Sequence, residues 1–284
     1  MRSCLMMLIC MMFSVTSFAM HANAQENDTT YQAVQKSWLN PSGMTVESRF
    51  LPPEGYVRKT YDDPYTDYMR KLPMLPDGSP VLIYTGEIRE YQDTQVGVLN
   101  IDVGKRDLQQ CSDAAQRLRA EYLYQTGQHE KINYHFSNGM ALPWDKWRAG
   151  WRVKKEKNKT WLVKSSSPDD SYQNFRKYLD MLFMYAGVNS VMKESKVLDI
   201  ADVRPGDALA AVGHLIIILD VVENAEGKKK LLLAQSYIPA QQIEVLKNPY
   251  SNNPWYDAES VLKCPFITPG WEYDCPGAKY YRLL

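Results

Sequence analysis

From Leu215 to Val222 the chain reads Leu-Ile-Ile-Ile-Leu-Asp-Val-Val, apolar at every position except Asp220. A nearly continuous run of this length, rich in β-branched residues, fits a strand in the middle of a sheet. The polar stretch Asn224–Lys229 and the second run Leu231–Gln235 then read as a hairpin loop and its returning strand. Helical patterns precede this hairpin. Asp107-Leu-Gln-Gln110 has the form of a capping box, with Asp107 as N-cap, and it places Cys111, Ala114 or Ala115, Leu118 and Tyr122 on one face. A second helix is expected with Ser167 as cap, Pro168 in its first turn, and Asp169 and Asp170 at its positive end. Its apolar face is Phe175, Leu179, Leu182, Phe183 and Ala186, and Gly187 stops it. A further short helix falls near Val191, and Pro205-Gly206-Asp207 makes a turn. Shorter strands are expected at Pro80–Tyr84 and Val96–Val103. Helices followed by an antiparallel strand set indicate an α+β fold.

The composition is that of a globular chain. Its 284 residues are 45% hydrophobic, enough to bury a core. The 33 basic residues equal the 33 acidic ones, so no positive excess is available to displace counterions from a nucleic acid. The 19 Tyr and 7 Trp suit a wet groove as well as a core.

Residues 1–24 have the features of a secretory leader: Arg2 as the only charge, an apolar run from Leu5 to Val15, and Ala22-Asn23-Ala24 as a small-x-small cleavage site. The run falls short of the roughly 18–20 residues needed to span a bilayer, so no stable membrane anchor is expected. The mature protein is expected to be exported, periplasmic or extracellular. Residues 25–45 read as a flexible lead-in, and 46–284 as one α+β domain. Within it, residues 125–165, which hold Trp144, Trp147, Trp151 and Trp161, read as an insertion of turns and short strands covering the core. Of the five cysteines, Cys4 and Cys10 leave with the leader. In an oxidising compartment the remaining three suggest a Cys264–Cys275 disulfide, worth roughly 2–3 kcal/mol, and a free Cys111.

That free thiol is the first element of a possible site. A cysteine in the first turn of a helix faces unpaired N–H groups and the positive end of the dipole, which favour the thiolate. Taken alone, Cys111 reads more readily as a small apolar side chain on the buried face. The second element is His214, in Gly213-His214-Leu215 at the mouth of the strongest strand, where rigid backbone would hold a general base. Gln235, at the end of the returning strand, would lie across the ladder and orient the imidazole. Ser236 and Asp220 are alternatives for that third role. His129 and His135 lack ligand spacing, and no phosphate loop or dinucleotide fingerprint occurs, so neither metal nor cofactor is expected.

Val203-Arg-Pro-Gly-Asp207-Ala-Leu, followed by Gly213-His214 and an apolar strand, resembles the signature of NlpC-type and CHAP-type papain-like cysteine hydrolases. The resemblance implies a papain-like α+β fold, with Cys111 as nucleophile, His214 as base and Gln235 as its orienting partner. It also implies cleavage of amide bonds in peptides or peptidoglycan fragments. Cys111 lacks the Asp-Cys-Ser-Gly context of those enzymes, and the long interval from Cys111 to His214 implies an insertion. More closely, the segments Asp107–Ala115, Arg117–Tyr124, Phe175–Asp180 and Leu233–Gln241 resemble an uncharacterised family of secreted bacterial proteins, a domain of unknown function. The function expected is an exported thiol hydrolase. The alternatives are a non-catalytic peptidoglycan- or glycan-binding protein on the same scaffold, or a transglutaminase-like acyl transferase. The sequence leaves the oligomeric state open.

Overall fold

The computed structural model describes residues 38–157, 159–274 and 277–283. The leader expected at Met1–Ala24 lies outside the described residues. In chain order the elements are α1 (Val46–Arg49), β1 (Tyr56–Arg58), α2 (Pro64–Arg70), β2 (Gln95–Val98), α3 (Cys111–Gln125), β3 (Asn133–His135), β4 (Ala141–Pro143) and α4 (Trp144–Arg148). They continue with β5 (Trp151–Glu156), β6 (Lys159–Lys164), α5 (Tyr172–Tyr185), α6 (Val188–Glu194), β7 (Lys196–Leu198), β8 (Ala208–Ala211), β9 (His214–Asn224) and β10 (Lys229–Gln235). The last are β11 (Glu244–Leu246), β12 (Trp255–Asp257), β13 (Phe266–Thr268), β14 (Trp271–Tyr273) and β15 (Lys279–Arg282). This is a mixed α+β architecture built on a nine-stranded antiparallel sheet of order β2-β11-β10-β9-β8-β15-β7, with β1 against β9 and β12 against β10.

The apolar run forms the long strand β9, and its hairpin partner β10 lies where the sequence places it. β9 lacks polar alternation because both faces of the sheet are covered. Leu215, Ile217, Leu219 and Val222 pack with Leu118 of α3 and with Leu179 and Leu182 of α5. Ile216, Ile218 and Val221 face the opposite cluster, with Tyr256, Phe266 and Tyr280. The alternation slips at a bulge, where Leu232 pairs with Asp220 but Leu233 pairs with Ile218. Asp220 is fully buried there and is held by Arg58 at 2.6 Å and Arg70 at 2.7 Å.

Both long helices start later than their sequence signals suggest. Asp107 does not cap α3, because its Oδ1 accepts the Ala240 N–H at 2.7 Å and ties the loop to the segment after β10. The helix begins at Cys111, and Asp113 supplies the cap by accepting the Gln110 N–H at 3.0 Å. Ser171, not Ser167, caps α5, accepting the Asn174 N–H, while the Asp169 N–H bonds Arg148 and keeps that stretch outside the helix. Gly187 has an extended backbone and leads directly into α6.

The segment 125–165 holds two hairpins, β3–β4 and β5–β6, and the unexpected helix α4. Burial of Trp144 and Trp147 against Phe175 and Tyr178 overrides the low helix propensity of tryptophan in α4. The Val96–Val103 expectation shortens to β2, and Pro80–Tyr84 contributes single bridges at Leu82 and Ile83. The described end of the expected flexible lead-in is packed: Trp38 stacks on Phe50 and donates to Asn252, and Thr45 caps α1. Cys264 is disulfide-bonded; Cys275, the partner expected from the sequence, lies outside the described residues.

Candidate active site

Cys111 is the first residue of α3, free and 8% exposed. At that position neither its own N–H nor that of Ser112 has an intrahelical acceptor. Both favour the thiolate, and so does the N–H of Leu215, the residue after His214. Burial is the larger effect and raises the thiol pKa, with the Asp113 carboxyl adding to it. The sequence reading expects a depressed value from the helix end, but desolvation outweighs the dipole here. Asp113 is itself pushed up to about 7 by burial.

His214 opens β9 and is 2% exposed. Its ring stacks beneath Trp271 at 4.9 Å between centroids and meets Tyr237 edge-on at 5.5 Å. Gly213 permits this cover. Its φ is +96°, and an added Cβ would stand 3.2 Å from the Trp271 ring. Burial lowers the imidazole pKa, while Gln235 and the Glu244 carboxylate partly restore it.

The hydrogen bonds around Gln235 fix the tautomer of His214. Gln235 Nε2 donates to Glu244 Oε1 at 3.1 Å and to the Pro269 carbonyl at 3.3 Å. Its Oε1 therefore faces His214 Nε2, at 2.8 Å, and Nε2 must carry the hydrogen. That leaves Nδ1 as the basic nitrogen. Glu244 is fully buried and oriented in turn. Its carboxylate accepts Arg89 at 2.7 and 3.0 Å, Thr94 Oγ1 at 2.6 Å and Gln241 Nε2 at 3.1 Å. The line Arg89–Glu244–Gln235–His214 thus runs from the sheet edge to the imidazole.

The two alternatives to Gln235 lie in other networks. Asp220 sits at the bulge with its two arginines. Ser236 Oγ donates to the carbonyls of Gln109 and Gln241, joining the end of β10 to the loop before Cys111. Arg117 holds the same loop from α3, donating to Gln109 Oε1 at 2.6 Å and Asp102 Oδ2 at 2.8 Å. Both ends of the site are therefore braced against each other. Glu244, Arg89 and Trp271 were not among the residues singled out by sequence. Glu244 carries a signal, an acid beside Ile243 and Val245 in an apolar run, as Asp220 does; Arg89 carries none.

Among the described residues no cluster of His, Cys, Asp and Glu could hold a metal ion, and no helix is long and apolar enough to cross a membrane. Residues 46–277 match the family described as domain of unknown function 4846, and the chain belongs to that family. No curated protein and no solved structure matches it.

Proposed function

We propose that the protein is an exported thiol hydrolase of papain-like design, akin to the NlpC and CHAP types, that cleaves an amide bond in a cell-wall peptide or a related substrate. The observation that carries the reading is the locked imidazole. With Nε2–H given to Gln235, and Gln235 held by Glu244, Nδ1 is the nitrogen free to take a proton.

In the reaction, Cys111 gives its proton to His214 Nδ1 as the sulfur attacks the carbonyl carbon. The N–H groups of Cys111 and Ser112 receive the oxyanion. The imidazolium then protonates the leaving amine, and water releases the acyl group from sulfur. The raised thiol pKa and lowered imidazole pKa fit a neutral pair that moves its proton during attack. Incubation of the mature protein with a peptidoglycan digest tests this. The wild type releases new amino groups and Cys111→Ala does not; equal release by both contradicts the reading.

The deep burial of both Cys111 and His214 favours one rival, a binding protein on a catalytically silent scaffold. Capture of peptidoglycan fragments by wild type and Cys111→Ala alike, with no product from either, supports that reading instead.

A further inference from the structure

A cleft of about 470 Å³, within the range of small-molecule sites, opens over the middle and end of α3. The buried side chains of Arg117 and Glu121 lie at its bottom. Around them stand Tyr68 and Lys71 at the end of α2, Asn100 and Asp102 after β2, and Tyr172 at the start of α5. Neither Cys111 nor His214 lines it, nor does any residue that orients the imidazole. It is a place apart from the dyad, and its chemistry is of another kind.

The charges here are matched. Arg117 pairs with Asp102 at 2.8 Å and Glu121 at 3.4 Å, and Arg176 reaches the same carboxylates at 3.2 and 3.6 Å. Guanidinium answers carboxylate throughout, so the network has no net charge to attract a phosphate or a polyamine. It leaves a surface on which donors and acceptors alternate. A hydroxyl is both donor and acceptor, so neighbouring hydroxyls suit such a surface better than an anionic or cationic group does. Lys71 and Asn100 are exposed, and among the described residues their side chains have no hydrogen-bond or ion-pair partner, so both are free to donate. Lys71 adds one cation, at the water-filled rim where salt screens it. Tyr172 supplies an apolar face. It is 47% exposed, and its hydroxyl donates to Glu121 Oε1 at 2.8 Å, which fixes the ring. Tyr124 and Phe175 meet that ring at tilted angles of 60° and 43°, so neither stacks on its face. A pyranose meets both demands, with a face of C–H bonds to lie on an aromatic ring and hydroxyls around its edge.

We propose that this cleft binds a saccharide, with Tyr172 as the platform for a sugar ring and with Asn100, Lys71 and the Arg117–Asp102–Glu121 network bonding its hydroxyls. The bond to Glu121 holds Tyr172 in place before any ligand arrives, so little ordering entropy is lost on binding. No bond is made or broken in the cleft. The site stands whether or not Cys111 is a nucleophile.

Calorimetric titration of the mature protein with chitotriose and with cellotriose tests this, beside trialanine, which has amide donors and acceptors but no vicinal hydroxyls. At least one trisaccharide binds saturably with a Kd of about 1 mM or tighter, and trialanine does not. Tyr172→Ala weakens that binding at least about tenfold, while Tyr172→Phe, which keeps the ring, stays within about threefold of wild type. Asn100→Ala weakens it as well, and Cys111→Ala binds as wild type does. Tyr172 and Asn100 are exposed, so these substitutions leave the fold in place, which circular dichroism of the same samples checks. Failure of both trisaccharides to bind, equal binding of trialanine, or binding untouched by Tyr172→Ala overturns the saccharide site and leaves the hydrolase reading as it was. Saccharide binding in a protein with no Cys111-dependent cleavage supports the site and overturns the hydrolase reading alone.

Discussion

Replacing Gln235 with Leu keeps the bulk of the side chain and removes the acceptor 2.8 Å from His214 Nε2. His214 is 2% exposed, so water does not take the acceptor's place. A buried donor left unpaired costs about 1–3 kcal/mol, and the imidazole can escape that cost by moving its hydrogen to Nδ1. That shift puts the hydrogen on the nitrogen that must serve as base. Each 1.4 kcal/mol of lost bias is a factor of ten, so Cys111-dependent turnover should fall about 10- to 100-fold. Glu244 keeps Arg89, Thr94 and Gln241 as partners, so the fold survives with a loss of about 1–3 kcal/mol. Nitrogen NMR of the imidazole reads the tautomer directly: wild type shows His214 protonated at Nε2, and Gln235→Leu shows a mixture or the reverse. Turnover measured on the same samples gives the kinetic arm. An unchanged tautomer together with turnover within about twofold of wild type would falsify the positioning role of Gln235.

Asp220→Ala strands Arg58 and Arg70 beside a fully buried bulge, and thermal unfolding should show a loss of about 3–5 kcal/mol, or about 10 °C. Asp220→Asn keeps the shape and should cost less; equal stability of Asp220→Ala and wild type contradicts the role of the pair. Gly213→Ala forces a side chain onto a positive φ and against Trp271. It should cost about 1–2 kcal/mol and uncover His214, read as faster modification of His214 by diethyl pyrocarbonate. Asp113 bears on pH. Burial holds its folded pKa at about 7, above the ordinary carboxyl value of 3.8, so the unfolded chain loses this proton first and stability declines as pH rises between those values. Asp113→Asn removes that decline. Its stability relative to wild type should grow across the window by up to about 4 kcal/mol, and the Cys111 titration should move down, since Asp113 raises it. A relative stability that stays flat with pH, or an unmoved thiol titration, contradicts the burial argument.

The hairpin of β9 and β10 is legible because a strand buried on both faces leaves a mark in every residue. The same hairpin places Gln235 near His214 by register alone. Helix starts are less legible, since Asp107 and Ser167 carry good capping chemistry but Asp107 is drawn to the Ala240 N–H, 133 residues away in sequence. Helix α4 is invisible for a related reason: two tryptophans become helical only because Phe175 and Tyr178 bury them. At the site, the helix-borne thiol and strand-borne histidine follow from local patterns. Arg89 and Trp271 do not, because their roles depend on which distant loop lies against the end of the sheet. The pKa of Cys111 is the sharpest case. Sequence supplies the helix dipole, but the burial that outweighs it belongs to the assembled structure.

The central claim is that Cys111 and His214 work as a pair, and the rate of Cys111 alkylation against pH tests it most directly. Folded wild type, with Cys264 kept oxidised, runs beside His214→Ala. A working pair gives native-state alkylation near neutral pH that His214→Ala slows at least about tenfold, while the two proteins react alike once unfolded. A thiol that stays inert in both until the protein unfolds contradicts the account and makes Cys111 a core residue.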